Sequence, residues 1–213
     1  MTPSPAPSTA PAIRRPRRDA VENRAGILDA AIRALALDPH ASIDAIARSA
    51  GLSRRALYGH FEDRDALIRA VVTTGSQRFN AIALTIDDAD ARVALGRLAA
   101  LLWTEAAHIQ AAAAIALDDA HVHETADALA PLRRTVVAIV RRGQDDGTLR
   151  TDMAAPTLAR LVEEAARSVV TRVDASSPEA RSLAVRAVLS IAGLSWRETA
   201  ALLAGHPAIL GED

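Results

Sequence analysis

The stretch Ser42-Ile43-Asp44-Ala45-Ile46-Ala47-Arg48-Ser49-Ala50-Gly51-Leu52-Ser53-Arg54-Arg55-Ala56-Leu57-Tyr58-Gly59-His60-Phe61 decides the fold. Ser42 stands where an N-cap is needed, its hydroxyl able to accept a bond from a free backbone N–H. The short helix it starts carries Ile43, Ile46 and Ala47 inward. Gly51 ends that helix and supplies the left-handed backbone a tight turn requires. Ser53 can cap a second short helix, whose apolar members are Ala56 and Leu57. Two short helices joined by a turn of about three or four residues cross steeply. Small Ala47 lets them approach, and Ile46, Leu52 and Leu57 lock the pair onto a preceding helix. The second helix then projects polar residues outward, and in a helix-turn-helix its N-terminal part enters the major groove of DNA.

Here that part offers Ser53, Arg54 and Arg55. Arginine bonds guanine O6 and N7 bidentately, the commonest specific base contact. Tyr58 and His60 lie near the helix end, where hydroxyl and ring N–H groups meet phosphate. Arg64, just beyond, is a further phosphate candidate, while Phe61 is assigned to the core.

Outward from this stretch the pattern stays helical. Ile27, Leu28, Ala31, Ile32 and Leu35 repeat at the 3.6-residue spacing that makes one apolar face, predicting a helix over 19–37. Asp38-Pro39 stops it, because the residue before proline is pushed out of the α region. Acids at Glu62-Asp63 suit the start of a third helix, which continues past Leu67, Ile68 and Val71 to about Ile86. Breaks are expected at 87–90, 118–122, 143–152 and 174–178, leaving helical segments at 91–107, 108–117, 123–143, 155–173 and 179–204. Hydrophobic residues make up 50% and aromatic residues only 2% of the 213 residues. Alanine and leucine favour helix, and strand formers are sparse. The expected fold class is all-α. No internal repeat of solenoid length is visible.

The net charge of -1 conceals an asymmetry. Residues 1–70 hold 11 arginines and 8 acids, the remainder 14 and 18, giving +3 and −4. Arg14, Arg15, Arg17 and Arg18 concentrate the positive charge in a Pro-, Ser- and Ala-rich segment expected to be a disordered basic arm over 1–18. Every cation is arginine, which suits bidentate phosphate contacts.

Other classes fare poorly. With 0 cysteines there is no disulfide framework, thiolate metal site or cysteine nucleophile. No apolar run reaches the roughly 18 residues a membrane span needs, and the start lacks signal-peptide organisation, so a cytoplasmic protein is expected. No nucleophile elbow, phosphate loop or pair of carboxylates on one helix face points to an enzyme, and no cofactor is expected. Asp118, Asp119, His121, His123 and Glu124 are metal-ligand types. They lack the spacing that presents two histidines on one helix face, so a solvated turn is the expectation, with no metal. A helical adaptor that binds no DNA is the remaining alternative.

The run from Ser42 to Leu67 resembles the helix-turn-helix of the tetracycline-repressor (TetR) family of bacterial regulators. The matching elements are Ser42-Ile43, Ile46-Ala47, Ala50-Gly51-Leu52-Ser53, Leu57-Tyr58, His60-Phe61 and Leu67. The resemblance covers about fifty residues from the first helix onward. Beyond it only length, helix number and a Gly147-Thr148-Leu149-Arg150 turn are similar. It implies that Ser42, Tyr58 and Arg64 hold phosphates, and that Ser53, Arg54, Arg55 and Gly59 lie on the base-reading helix. Arg64 replaces the usual lysine and preserves a phosphate contact. Leu35 or Leu37 stands where phenylalanine is frequent, and Pro39 near a frequent glycine.

The resemblance further implies a helix-turn-helix domain over 19–70 and a ligand-binding and dimerisation domain over 71–213. It implies a homodimer through the last two long helices, about 155–173 and 179–204. Its partner would be a pseudo-palindromic DNA operator, from which a small-molecule effector releases a repressor. Phe79, Trp103 and His108, scarce large or polar groups in an alanine-rich region, are candidates to line the effector's cavity.

Overall fold

The structure is a computed structural model. It describes residues 16–38, 40–108, 122–174 and 176–211, with side chains for all of these except 16–23, 36, 108 and 122–124. Of the arm expected over 1–18, residues 1–15 lie outside the described residues while 16–18 are helical; 109–117 of the helix expected over 108–117, and 118–121 of the break expected over 118–122, also lie outside them.

Helix α1 (Pro16–Leu37) starts three residues before the expected Asp19, with Pro16 at the first helical position. There its missing N–H costs nothing and its fixed φ favours the helix. The next two starts follow the expected caps. In α2 (Ile43–Ser49) the Ser42 hydroxyl accepts from the Ala45 N–H at 3.2 Å. In α3 (Arg54–Tyr58) Ser53 accepts from Ala56 in the same way, also at 3.2 Å. Between them Gly51 sits at φ 67°, the left-handed conformation that glycine adopts without penalty. Helix α4 (Arg64–Leu84) is capped by Asp63, whose carboxylate accepts from the Ala66 N–H at 2.7 Å.

These four helices share one core. Ile27, Ala31 and Leu35 of α1 meet Ile46 and Ala47 of α2, Leu57 of α3, Phe61, and Leu67, Ile68, Val71 and Val72 of α4. Leu57 is wholly buried, and truncating such a residue to alanine costs about 2–5 kcal/mol. Arg24 reinforces the joint from outside. Its guanidinium lies 4.4 Å above the Phe61 ring and donates to the His60 carbonyl at 3.3 Å.

A second, larger core is built by the remaining helices: α5 (Ala91–His108), α6 (Val122–Ala128), α7 (Ala130–Asp145), α8 (Ala155–Arg172), α9 (Ala180–Ile191) and α10 (Trp196–Gly205). A 3-10 turn at Pro207–Leu210 closes it with buried Ile209. Helix α9 packs on both α5 and α8, and α7 packs on α4, α5 and α8. Phe79 of α4 touches both cores.

Two expected long helices prove to be broken. The segment expected over 123–143 divides at Leu129, because Pro131 has no N–H to continue the ladder. Asn80 of α4 serves both sides of that break. Its Nδ2 donates to the Ala128 carbonyl at 2.9 Å, and its Oδ1 accepts from the Leu132 N–H at 3.0 Å. The segment expected over 179–204 divides at Ala192–Ser195. Gly193 takes φ 111°, and Ser195 and Glu198 form a reciprocal capping box that starts α10 afresh.

Candidate nucleic-acid interface and cavity

Packing of α2 against α3 leaves one exposed polar face on the first core. Ser53, Arg54, Arg55, Tyr58 and Gly59 are exposed on or beside α3, as is Ser42 at the start of α2, and His60 is half-buried. All belong to the expected DNA-contacting set. Capping uses the lone pairs of Ser42 and Ser53, so each hydroxyl keeps its O–H to donate outward. Gly59 has an ordinary helical φ of -69°. Its value is therefore the missing side chain on an exposed edge and not backbone freedom.

The charged members are not equivalent. Arg54 is held on two sides: its Nε lies 3.2 Å from Asp44 Oδ1, and its guanidinium carbon lies 5.5 Å from the centre of the Tyr58 ring. The contact with Asp44 is an ion pair whose geometry is not aligned for a hydrogen bond. The Tyr58 side chain first, and the Asp44 charge second, raise the Arg54 guanidinium above its ordinary value. It is a permanent cation. Arg64 is half-buried and donates through Nε to the Ala41 carbonyl at 3.2 Å, tying the start of α4 to the loop before α2. Asp44 and Arg24 escaped sequence reasoning. Asp44 stands in the first turn of α2, where an acid suits the helix dipole, and that routine explanation hid its proximity to α3.

The other feature is a cavity of about 180 Å³ between the two cores, walled by α4 to α9. That is more than ten times the space one water needs. Phe79 and Trp103, two of the candidates, are among its lining residues. The side chain of the third candidate, His108, lies outside the described residues. Polar groups that sequence reasoning missed also reach it: Ser76 of α4, Thr125 of α6, and the Arg133–Glu163 pair at 2.9 Å between α7 and α8. Ser76 is 5% exposed, and its position on α4 places it in the cavity wall. Its signal in the sequence, one serine on an otherwise apolar stripe of α4, is too weak to separate from a surface position. Among the described residues no cluster of His, Asp or Glu is arranged to hold a metal.

A two-helix recognition unit on a helical bundle with an internal cavity defines the class: a helix-turn-helix DNA-binding protein. Residues 27–71 match the model of the bacterial regulatory proteins of the tetR family. That segment therefore carries the family's DNA-binding domain, and the fold of the whole chain is similar to that of solved family members. Three solved structures illustrate the likeness. The fatty acid degradation regulator FadR from Bacillus halodurans superposes at TM-score 0.70 with 16% identity, over 87% of this chain and 98% of that one. The TetR-family regulator PfmR from Thermus thermophilus gives 0.67 at 20% identity, over 79% and 98%. Bacillus subtilis FadR, in complex with stearoyl-CoA, gives 0.67 at 14%, over 79% and 97%. No curated protein sequence matches the chain.

Proposed function

We propose that the protein is a homodimeric repressor that binds a pseudo-palindromic operator and leaves it when a small molecule occupies the cavity. The observation that carries the DNA half is the exposed face of Ser42, Ser53, Arg54, Arg55 and Tyr58 on a unit whose apolar side is consumed by its own core. In this reading Arg54 and Arg55 meet base edges, and Ser42, Tyr58, His60 and Arg64 meet phosphates. Gly59 gives the backbone close approach. Two such heads on a two-fold axis would sit about 34–36 Å or a multiple apart.

The effector half rests on the cavity. Its walls are mostly aliphatic and aromatic, with a few polar groups, as small-molecule sites are. An apolar molecule carrying one hydrogen-bonding group fits it, the Ser76 hydroxyl in the wall supplying a polar contact. Binding of stearoyl-CoA by Bacillus subtilis FadR makes acyl-CoA thioesters sensible first probes. Val71, Val72 and Phe79 line the cavity and also pack on the helix-turn-helix core, so α4 carries a ligand's differential affinity from one to the other. Only a ligand that prefers one arrangement of the heads shifts the equilibrium. The division into 19–70 and 71–213, a cytoplasmic location and the absence of enzymatic activity belong to the same reading. Among the described residues no helix is long and apolar enough to cross a membrane.

Fluorescence anisotropy with the DNA flanking its own gene tests the proposal. Affinity should fall with salt at a log–log slope of roughly −6 to −10 if that many phosphates are neutralised. A combined Arg54→Ala, Arg55→Ala and Tyr58→Ala variant should lose specific binding. A flat salt dependence, or full binding by that variant, overturns the DNA assignment.

A further inference from the structure

Asp44 faces the DNA-binding side although its charge opposes DNA. Its side chain is 41% exposed and that of Arg54 65% exposed. A pair this exposed contributes little to stability. Holding the fold together therefore does not explain it. The pair does bear on the direction of Arg54: a carboxylate on the neighbouring helix lies 3.2 Å from Nε, and the Tyr58 ring flanks the guanidinium. A long side chain ordered before binding loses less freedom on binding. With the Nε side drawn to Asp44 by charge, the Nη1–Nη2 end is the one left to DNA, two parallel donors matched to guanine O6 and N7. The same carboxylate repels phosphates wherever Arg54 finds no such base. Asp44 thus weakens every duplex while preserving the one that Arg54 recognises.

We infer that Asp44, outside the recognition helix, is a positioning residue that sets the DNA sequence preference by fixing the guanidinium of Arg54. The inference rests on the DNA-binding reading above and adds to it a device for discrimination.

In vitro selection from a random duplex library by the wild-type protein supplies one enriched duplex, compared with a scrambled duplex of equal composition. Asp44→Asn should lower the enriched-to-scrambled affinity ratio roughly tenfold, the scale of one bidentate base contact, and tighten binding of the scrambled duplex. Asp44→Glu keeps the charge but displaces it. It should lose preference without gaining affinity for the scrambled duplex. In an Arg54→Ala background, Asp44→Asn should leave the ratio unchanged, because the two residues act as one unit. An unchanged ratio in Asp44→Asn, or additive effects of the two substitutions, overturns the inference alone. Failure of the wild-type protein to enrich any duplex overturns the DNA-binding reading together with it.

Discussion

At the scale of residues, the chemistry separates groups that serve the fold from groups that serve a surface. Asp90 belongs to the first kind. It accepts from Arg92 through both carboxylate oxygens, at 2.6–3.2 Å, and from the Arg92 backbone N–H at 2.8 Å. The Arg92 side chain holds its pKa below the usual carboxylate value. A carboxylate depressed in the folded state contributes stability above its unfolded pKa and loses it as pH falls through the folded one. Asp90→Asn keeps a capping side chain but removes the charge. It should melt below wild type at pH 7, with the gap closing below about pH 4; a gap independent of pH in thermal melts contradicts the assignment. The only tyrosine, Tyr58, belongs to the second kind. Tyr58→Phe should leave the melting temperature within about 0.5 kcal/mol equivalent of wild type. Its DNA affinity should fall several-fold if the hydroxyl meets phosphate, read by anisotropy on one duplex. Much of this surface was legible in the sequence, because Ser42, Ser53, Arg54, Arg55 and Tyr58 sit in a fixed local register. Asp44 was not, because the pairing that matters spans two helices.

At the scale of elements, stops were harder to read than starts. The serine caps of α2 and α3 were plain because each hydroxyl serves a backbone group three residues away. The break at Gly193 was missed because apolar spacing continues across it, from Val188 and Leu189 to Leu194. Its own signals were present in Gly193 and in the Ser195–Glu198 pair. The close approach also explains why glycine is required there: a Cβ at Gly193 would lie 2.8 Å from the Arg150 Cβ, in a backbone conformation at φ 111° that other residues resist. Gly193→Ala should therefore cost about 1–3 kcal/mol, measured by urea unfolding. Ser195→Ala should cost about 1 kcal/mol through the lost cap. A neutral Gly193→Ala would mean that the turn to the Arg150 loop can shift freely. Asn80 presents the same difficulty in another form: the partners of its amide lie 48 and 52 residues away, beyond any local pattern.

At the scale of the whole molecule, the outer faces of α8 and α9 carry apolar groups that neither core uses. Leu161 and Leu183 are 42% and 45% exposed, and Trp196 at the start of α10 is 71% exposed. A dimer closed by α8 and α9 would bury such a face, on the shortened helix that ends at Ile191. The Leu161→Glu and Leu183→Glu pair should shift the protein to monomers by light scattering and weaken operator binding, since two linked heads bind far more tightly than one. An unchanged dimer would place the interface elsewhere. Filling the cavity is a separate handle. Ala99 is buried and lines it, so Ala99→Leu should preserve or raise the melting temperature and abolish any ligand-induced shift. The overall plan was legible as an all-α chain with a helix-turn-helix near its start. The cavity's polar lining was not, because it assembles from four helices distant in sequence.

Helix α4 gives one more consequence. Its buried residues are divided between the two cores, Leu67, Ile68, Val71 and Val72 in the first and Ala83 in the second, and Phe79 packs against both, so melting of one core should carry the other with it. The protein should unfold in one calorimetric transition, and amide hydrogens at Leu67 and at Ala83 should exchange with similar free energies. On the proposed function such a molecule has no independent reading head: whatever loosens the cavity would also loosen its hold on the genome.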